Sequence, residues 1–277
     1  MNMKKSALLV FLLLVVLGAA PRKITWVAIG DSITYLNDHQ EQTGNRVTKG
    51  YMTLIADRHP RVSYINKGYN GWTAINIADK IETLDLSRAD VYTVFLGTND
   101  WWQGKMLGSI KNYRENTGSG TVYGAFRIIT DKLKSLNTRA KIILITPMQR
   151  GDFVYINNPK NNAYGSYKLK KDQSLEQFAN AVIEIGKSDG FAVVDLYHQS
   201  GMNLENMVRY KRLRSPGMDA YTNFKYPDYT SVPFNPEKDD YPYPQDAIHM
   251  TYDGLHPSDE GYRIIADMLE AKWKKLR

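Results

Sequence analysis

The sequence predicts an α/β protein with a parallel sheet covered by helices on both faces, because five short apolar runs alternate with helix-like stretches. Each run is followed by loop-forming residues, and a parallel return needs a crossover, which is usually a helix. Bulk agrees: 277 residues without cysteine, 43% hydrophobic and 23% charged, suit a packed body and exclude a disulfide-stapled scaffold. Leu, Ile, Val, Phe and Tyr recur along nearly the whole chain, so a disordered polar chain is also excluded.

Residues 1–20 come first. Met-Asn-Met-Lys-Lys, the apolar run Ala7 to Leu17 and the small residues Gly18-Ala19-Ala20 follow the signal-peptide pattern. The run is shorter than the roughly 18 residues of a membrane span. Export to the periplasm or medium, with no stable membrane anchor after cleavage, is therefore expected, and Pro21 leaves the cleavage position open.

Residues 21–277 are expected to form a single domain. Ile24–Ile29 is the first strand, rich in Ile and Val and closed by Gly30; a helix follows at about 50–58. Val62–Ile65 ends at Asn66-Lys67-Gly68 and leads to a helix at about 73–84, and Val91–Leu96 ends at Gly97. In the helix expected over 121–136, Phe126, Ile129, Leu133 and Leu136 repeat at three- and four-residue spacing. Lys141–Thr146 is the fourth strand, a helix is expected over 172–187, and Phe191–Leu196 is the fifth strand. Regularity fails at about 147–170, rich in Asn, Lys and Tyr, and at about 197–250, which carries six prolines from Pro216 to Pro244 among many tyrosines. Long irregular connections inside compact folds tend to run over the active face. The last helix should start after Ser258, an N-cap with Asp259 and Glu260 in the first turn, and bury Tyr262, Ile265 and Leu269.

Ligands of an open parallel sheet bind beyond the carboxyl ends of its strands, so chemistry is sought in the loops there. Gly30-Asp31-Ser32-Ile33-Thr34 follows the first strand, Asn66 to Thr73 the second and Gly97-Thr98-Asn99-Asp100 the third; Asp253-Gly254-Leu255-His256-Pro257 precedes the last helix. Serine is a poor nucleophile at neutral pH without a base. Asp253, three residues before His256, can accept from the imidazole Nδ1–H and leave Nε2 free to take a proton from Ser32. Gly71 and Asn99 offer a backbone N–H and a side-chain amide to a developing oxyanion. Taken singly, these residues read as ordinary turns and caps. Their joint placement at successive strand ends is what makes a site.

These four segments resemble, in order, the Ser, Gly, Asn and His blocks of the SGNH hydrolases, the GDSL-like esterase and lipase superfamily. The resemblance covers 24–146 and 251–275, with Ile33 where the family name has leucine, and 147–170 and 197–250 align with no member. It implies a flavodoxin-like three-layer α/β/α sandwich of about five parallel strands and ester hydrolysis without a metal or other cofactor. It also implies that Ser32 attacks, His256 is the base, Asp253 orients it, and Ser32 N–H, Gly71 N–H and the Asn99 amide form the oxyanion hole. Gly71 rather than Gly68 is the match, from its distance to Thr73.

His249 lacks the Asp-x-x-His-Pro context, and Asp31 and Asp100 read as residues that cap loops or line the site rather than as ligands of a two-metal phosphoesterase, which needs several closely placed His and Asp residues. Trp72, Trp101 and Trp102 flank the catalytic loops and are candidates for stacking on sugar rings or for packing beneath them. The excess of 36 Lys and Arg over 29 Asp and Glu is scattered, so a nucleic-acid partner is not expected. The expected function is a secreted serine esterase acting on short acyl esters, acetyl first, carried by carbohydrate, with a small-molecule or polysaccharide ester as substrate. A lysophospholipase, thioesterase or arylesterase and an inactive glycan-binding protein are the alternatives.

Overall fold

The structure is a computed structural model and describes residues 22–215 and 217–274. The signal-peptide segment 1–20 lies outside the described residues. The sheet holds β1 (Ile24–Gly30), β2 (Val62–Gly68), β3 (Val91–Phe95), β4 (Lys141–Ile145) and β5 (Ala192–Val194). All five strands are parallel, in the spatial order β2-β1-β3-β4-β5, which is the flavodoxin-like order. Both faces are buried, and the pleat divides each strand between them. Val27 and Ile29 of β1, with Leu144 of β4, enter one core; Trp26 and Ala28, with Ile143 and Ile145, enter the other.

The first core is closed by α2 (Ala74–Lys80), α3 (Val122–Leu136) and α4 (Leu175–Asp189), through Ile77, Phe126, Ile129, Leu133, Phe178 and Val182. The helix over 122–136 thus buries the stripe the sequence marks, apart from Leu136, which is only partly covered. The second core is closed by α1 (Tyr51–Arg58) and α5 (Asp259–Lys274), through Tyr51, Ile55, Tyr262, Ile265 and Leu269. Ser258 caps α5 as expected: its hydroxyl accepts from Gly261 N–H at 3.3 Å. Asp259 serves the fold further by accepting from the N–H and hydroxyl of Thr48 at 2.7 and 2.9 Å. Several boundaries differ from the sequence reading: β2 runs on past Ile65 to Gly68, and β5 covers only Ala192–Val194 of the Phe191–Leu196 run. Ser174 forms a capping box with Gln177, so α4 starts at Leu175 rather than near 172, and α2 gives way to turns after Lys80.

The irregular stretches hold small antiparallel ladders, Phe153–Val154 with Asn162–Ala163 and Lys211–Arg214 with Tyr221–Phe224. They dock on one another. The buried Lys211 ammonium pairs with the buried Asp152 carboxylate, and Tyr164 and Tyr167 hydroxyls donate to the Thr230 carbonyl at 2.9 and 2.8 Å. Val154, Val208, Tyr229 and Tyr243 form a small core between them.

Candidate active site

At the carboxyl end of β1 the chain turns directly into a one-turn helix, Ser32–Tyr35, whose cap is Asp31, accepting from Ile33 N–H at 3.0 Å. Ser32 is therefore held at the rim between β1 and β3, where the strand order reverses and the crevice of such a sheet opens. From the other side, the turn before α5 presents His256. Its Nε2 lies 2.8 Å from the Ser32 Oγ, and its Nδ1 lies 2.7 Å from Asp253 Oδ2. The carboxylate can accept only Nδ1–H, which leaves Nε2 as the acceptor for the serine hydroxyl.

Asp253 is fixed in turn by its own loop, since Oδ1 accepts the N–H of Leu255 at 3.0 Å and of His256 at 2.7 Å. Gly254 between them has φ +88°, and a Cβ there would stand 1.7 Å from the Asp152 carbonyl oxygen, so only glycine lets the turn lie against the 153–163 hairpin. That hairpin is hydrogen-bonded to the turn, Gly151 N–H to the Gly254 carbonyl at 2.8 Å. Its Phe153 meets the imidazole edge-on at 5.3 Å between centroids, while Tyr252 stacks on the ring at 5.8 Å. The base is thus locked by two carboxylate contacts and two aromatic ones.

The loops after β2 and β3 are stitched together. Asp100 is buried and accepts Ala74 N–H with both oxygens, at 3.0 and 2.9 Å, and the Asn99 amide donates to the Trp72 carbonyl at 3.1 Å. A capping box between Thr73 and Asn76 fixes the start of α2. Gly71, at φ +73°, holds a left-handed turn at the rim, and among the described residues no acceptor takes its N–H. Ser32, Gly71, Asn99 and His256 all line one cavity of about 300 Å³. Burial pushes the Asp31 carboxyl up to about 6, against the opposing pull of Ile33 N–H, His256 and Arg150, and burial likewise pushes Asp100 up to about 6. Both carboxylates are committed to backbone N–H groups, consistent with their reading as loop caps.

Three sequence expectations need correction. Trp101 is 0% exposed, and its indole N–H donates to the Gln173 carbonyl at 2.9 Å, so it is core and offers no face to a sugar. Trp72 stacks on Tyr69 at 4.5 Å and packs on the core beside the cavity; of the three tryptophans only Trp102 lines it. The 197–250 excursion contributes no lining residue among those described: its Tyr229 and Tyr243 bury their rings behind the 153–163 hairpin, and it is that hairpin, with Phe153, Tyr155, Asn162 and Ala163, that walls the site. His249 stays outside the cavity, its carbonyl accepting from the Ser258 hydroxyl.

Sequence reasoning missed Arg150, which lines the cavity from the loop after β4. The signal was available, since the strand-end rule that located Ser32, Gly71 and Asn99 applies equally to β4. A larger cavity of about 440 Å³ lies at the opposite end of the sheet, bordered by the first residues of β1, β3 and β4 and holding none of the catalytic candidates.

Known proteins share this fold. Residues 28–264 match the GDSL-like lipase/acylhydrolase family. The chain is similar to a protein from Chitinophaga pinensis described as a "possible lipase", with 56% identity and a TM-score of 0.90 over 92% of this chain and 99% of that one. At 19% identity and a TM-score of 0.61, a Lactobacillus plantarum protein shares the fold over 92% of this chain and 99% of its own. A catalytic mutant of an acetylxylan esterase from Geobacillus stearothermophilus does so at 15% and 0.50, over 91% and 95%. No curated protein matches the chain.

Proposed function

This chain belongs to the GDSL-like lipase/acylhydrolase family and is a carboxylic ester hydrolase, and from that premise we propose that it is a secreted serine esterase removing short acyl groups, acetyl first, from carbohydrate. The observation that carries the substrate half of the proposal is the cavity wall. Gln42, Asn70, Asn99, Gln103, Asn161 and Asn162, six Asn and Gln residues, line a space of about 300 Å³, and a carboxamide both donates to and accepts from hydroxyls. Secretion rests on the signal-peptide pattern of residues 1–20.

In the mechanism this reading implies, Ser32 Oγ attacks the ester carbonyl carbon while its proton passes to His256 Nε2, 2.8 Å away. Asp253 keeps its charge and stabilises the imidazolium. The carbonyl oxygen, now an oxyanion, takes hydrogen bonds from Ser32 N–H, Gly71 N–H and the Asn99 amide. As the C–O bond to the alcohol breaks, His256 returns the proton to the leaving oxygen. Water then adds to the acyl-enzyme by the same route in reverse, with His256 as base, and releases the acid and Ser32. The Asn99 amide reaches that role already oriented, because its other hydrogen is held by the Trp72 carbonyl.

The test is turnover of acetylated polysaccharide and 4-nitrophenyl acetate by the mature protein, beside Ser32→Ala. Wild type should release acetate from both, and the variant, folded, should lose activity on both. A Ser32→Ala protein as active as wild type would place the nucleophile elsewhere. Wild type that binds glycan without turnover would instead favour the inactive binder.

A further inference from the structure

One charged group in the cavity has no role in the chemistry above. Arg150 lines it with Ser32 and His256 and is 2% exposed, yet among the described residues no acceptor takes its buried Nε–H and no carboxylate forms an ion pair with its guanidinium. A buried guanidinium normally comes with a bidentate partner. The acids nearest to it are already engaged: Asp31 with Ile33 N–H, Asp152 with Lys211, and Asp253 with His256. They favour its charge without satisfying its hydrogen bonds, and burial still holds its pKa down to about 10. The surroundings add positive charge. The Arg150 guanidinium and the Lys170 ammonium both approach the Trp102 ring, at 5.2 and 3.6 Å from its centroid.

We infer that Arg150 is a specificity-determining residue that binds a carboxylate on the substrate's alcohol part, so that the preferred substrate is an O-acylated acidic sugar. The inference rests on the esterase reading above and deepens it. A monoanion is favoured over a phosphate dianion because the same cavity borders Asp31 and Asp253 and must also accommodate the negative charge of the oxyanion. A neutral carbonyl would satisfy the N–H groups but bring no opposite charge to the guanidinium. Binding of the carboxylate in the fork of the guanidinium would fix the sugar ring against Trp102 and orient its ester toward Ser32.

The experiment compares kcat/KM for a mono-O-acetylated hexuronic acid, the matching O-acetylated hexose and 4-nitrophenyl acetate, in wild type, Arg150→Gln and Arg150→Lys. Wild type should prefer the acid over the hexose by about 10- to 100-fold, as charge-assisted hydrogen bonds allow. In Arg150→Gln that ratio should fall to about one, and in Arg150→Lys it should be intermediate. A wild-type ratio of one or less, or equal losses on both sugars in Arg150→Gln, would overturn the inference while turnover of the neutral esters left the esterase reading standing. No turnover of any of the three by wild type would overturn both. Independently of how the variants fold, free hexuronate should inhibit wild-type hydrolysis of 4-nitrophenyl acetate competitively and more strongly than free hexose; equal inhibition counts against the inference.

Discussion

Asn99 shows how much of the site is decided by single hydrogen bonds. Its amide is held by the Trp72 carbonyl at 3.1 Å, and its remaining hydrogen is free for the cavity. Replacing Asn99 by Ala should lower kcat on a chromogenic acetate by on the order of 10²–10³ with little change in KM, because an oxyanion donor acts chiefly in the transition state; a loss confined to KM would make Asn99 a ground-state contact. Asp100 next to it works through burial. Its folded carboxyl holds a proton up to about 6 instead of its ordinary 3.8. Below about pH 3 both folded and unfolded forms are protonated and this group leaves stability whole; as pH rises toward 6 the unfolded chain ionises first, and stability is lost. Asp100→Asn cannot ionise, so wild type should lose about 3 kcal/mol relative to it between about pH 3 and pH 7 by urea titration. Parallel stability curves for the two proteins would show that Asp100 does not titrate there.

At the scale of elements, the two irregular stretches act as one wall and its backing. The 153–163 hairpin touches the imidazole through Phe153 and is tied to the catalytic turn by the Gly151 N–H, while the 197–250 segment supports it from behind. The link is the buried pair of Lys211 and Asp152, whose carboxylate also takes the N–H of Gly165 at 2.6 Å. Lys211→Met would leave that carboxylate uncompensated, a change that costs about 3–5 kcal/mol at buried pairs. The melting temperature should fall by roughly 10 °C, and activity should fall with it as the hairpin loosens from His256. An unchanged melting temperature would mean that the two stretches hold together without the pair.

For the molecule as a whole, a sheet with both faces covered leaves its carboxyl edge as the place for a ligand, and the hairpin limits that place to about 300 Å³. Acetate esters should accordingly be turned over faster than octanoate esters of the same alcohol. Each methylene is worth about 1–3 kcal/mol of discrimination, and several accumulate; faster octanoate hydrolysis would move the assignment to the lipid-directed alternative. The sheet, its order of helices and the Ser32, Asn99, Asp253 and His256 positions were legible in the linear chain, because β-branched runs, helical spacing and short turn motifs are local and each carries its own chemistry. Trp101 and Trp102 show where that legibility stops: adjacent, identical side chains on one turn of helix point one into the core and one to the cavity, and only packing against Gln173 and the hairpin decides between them. Arg150 stands where the strand-end rule points, but its lack of an ion-pair partner among the described residues, like the 153–163 wall, was invisible for the same reason. Both depend on residues about a hundred positions away, Asp253 near Arg150 and His256 against Phe153, and no pattern within a short window of sequence encodes that.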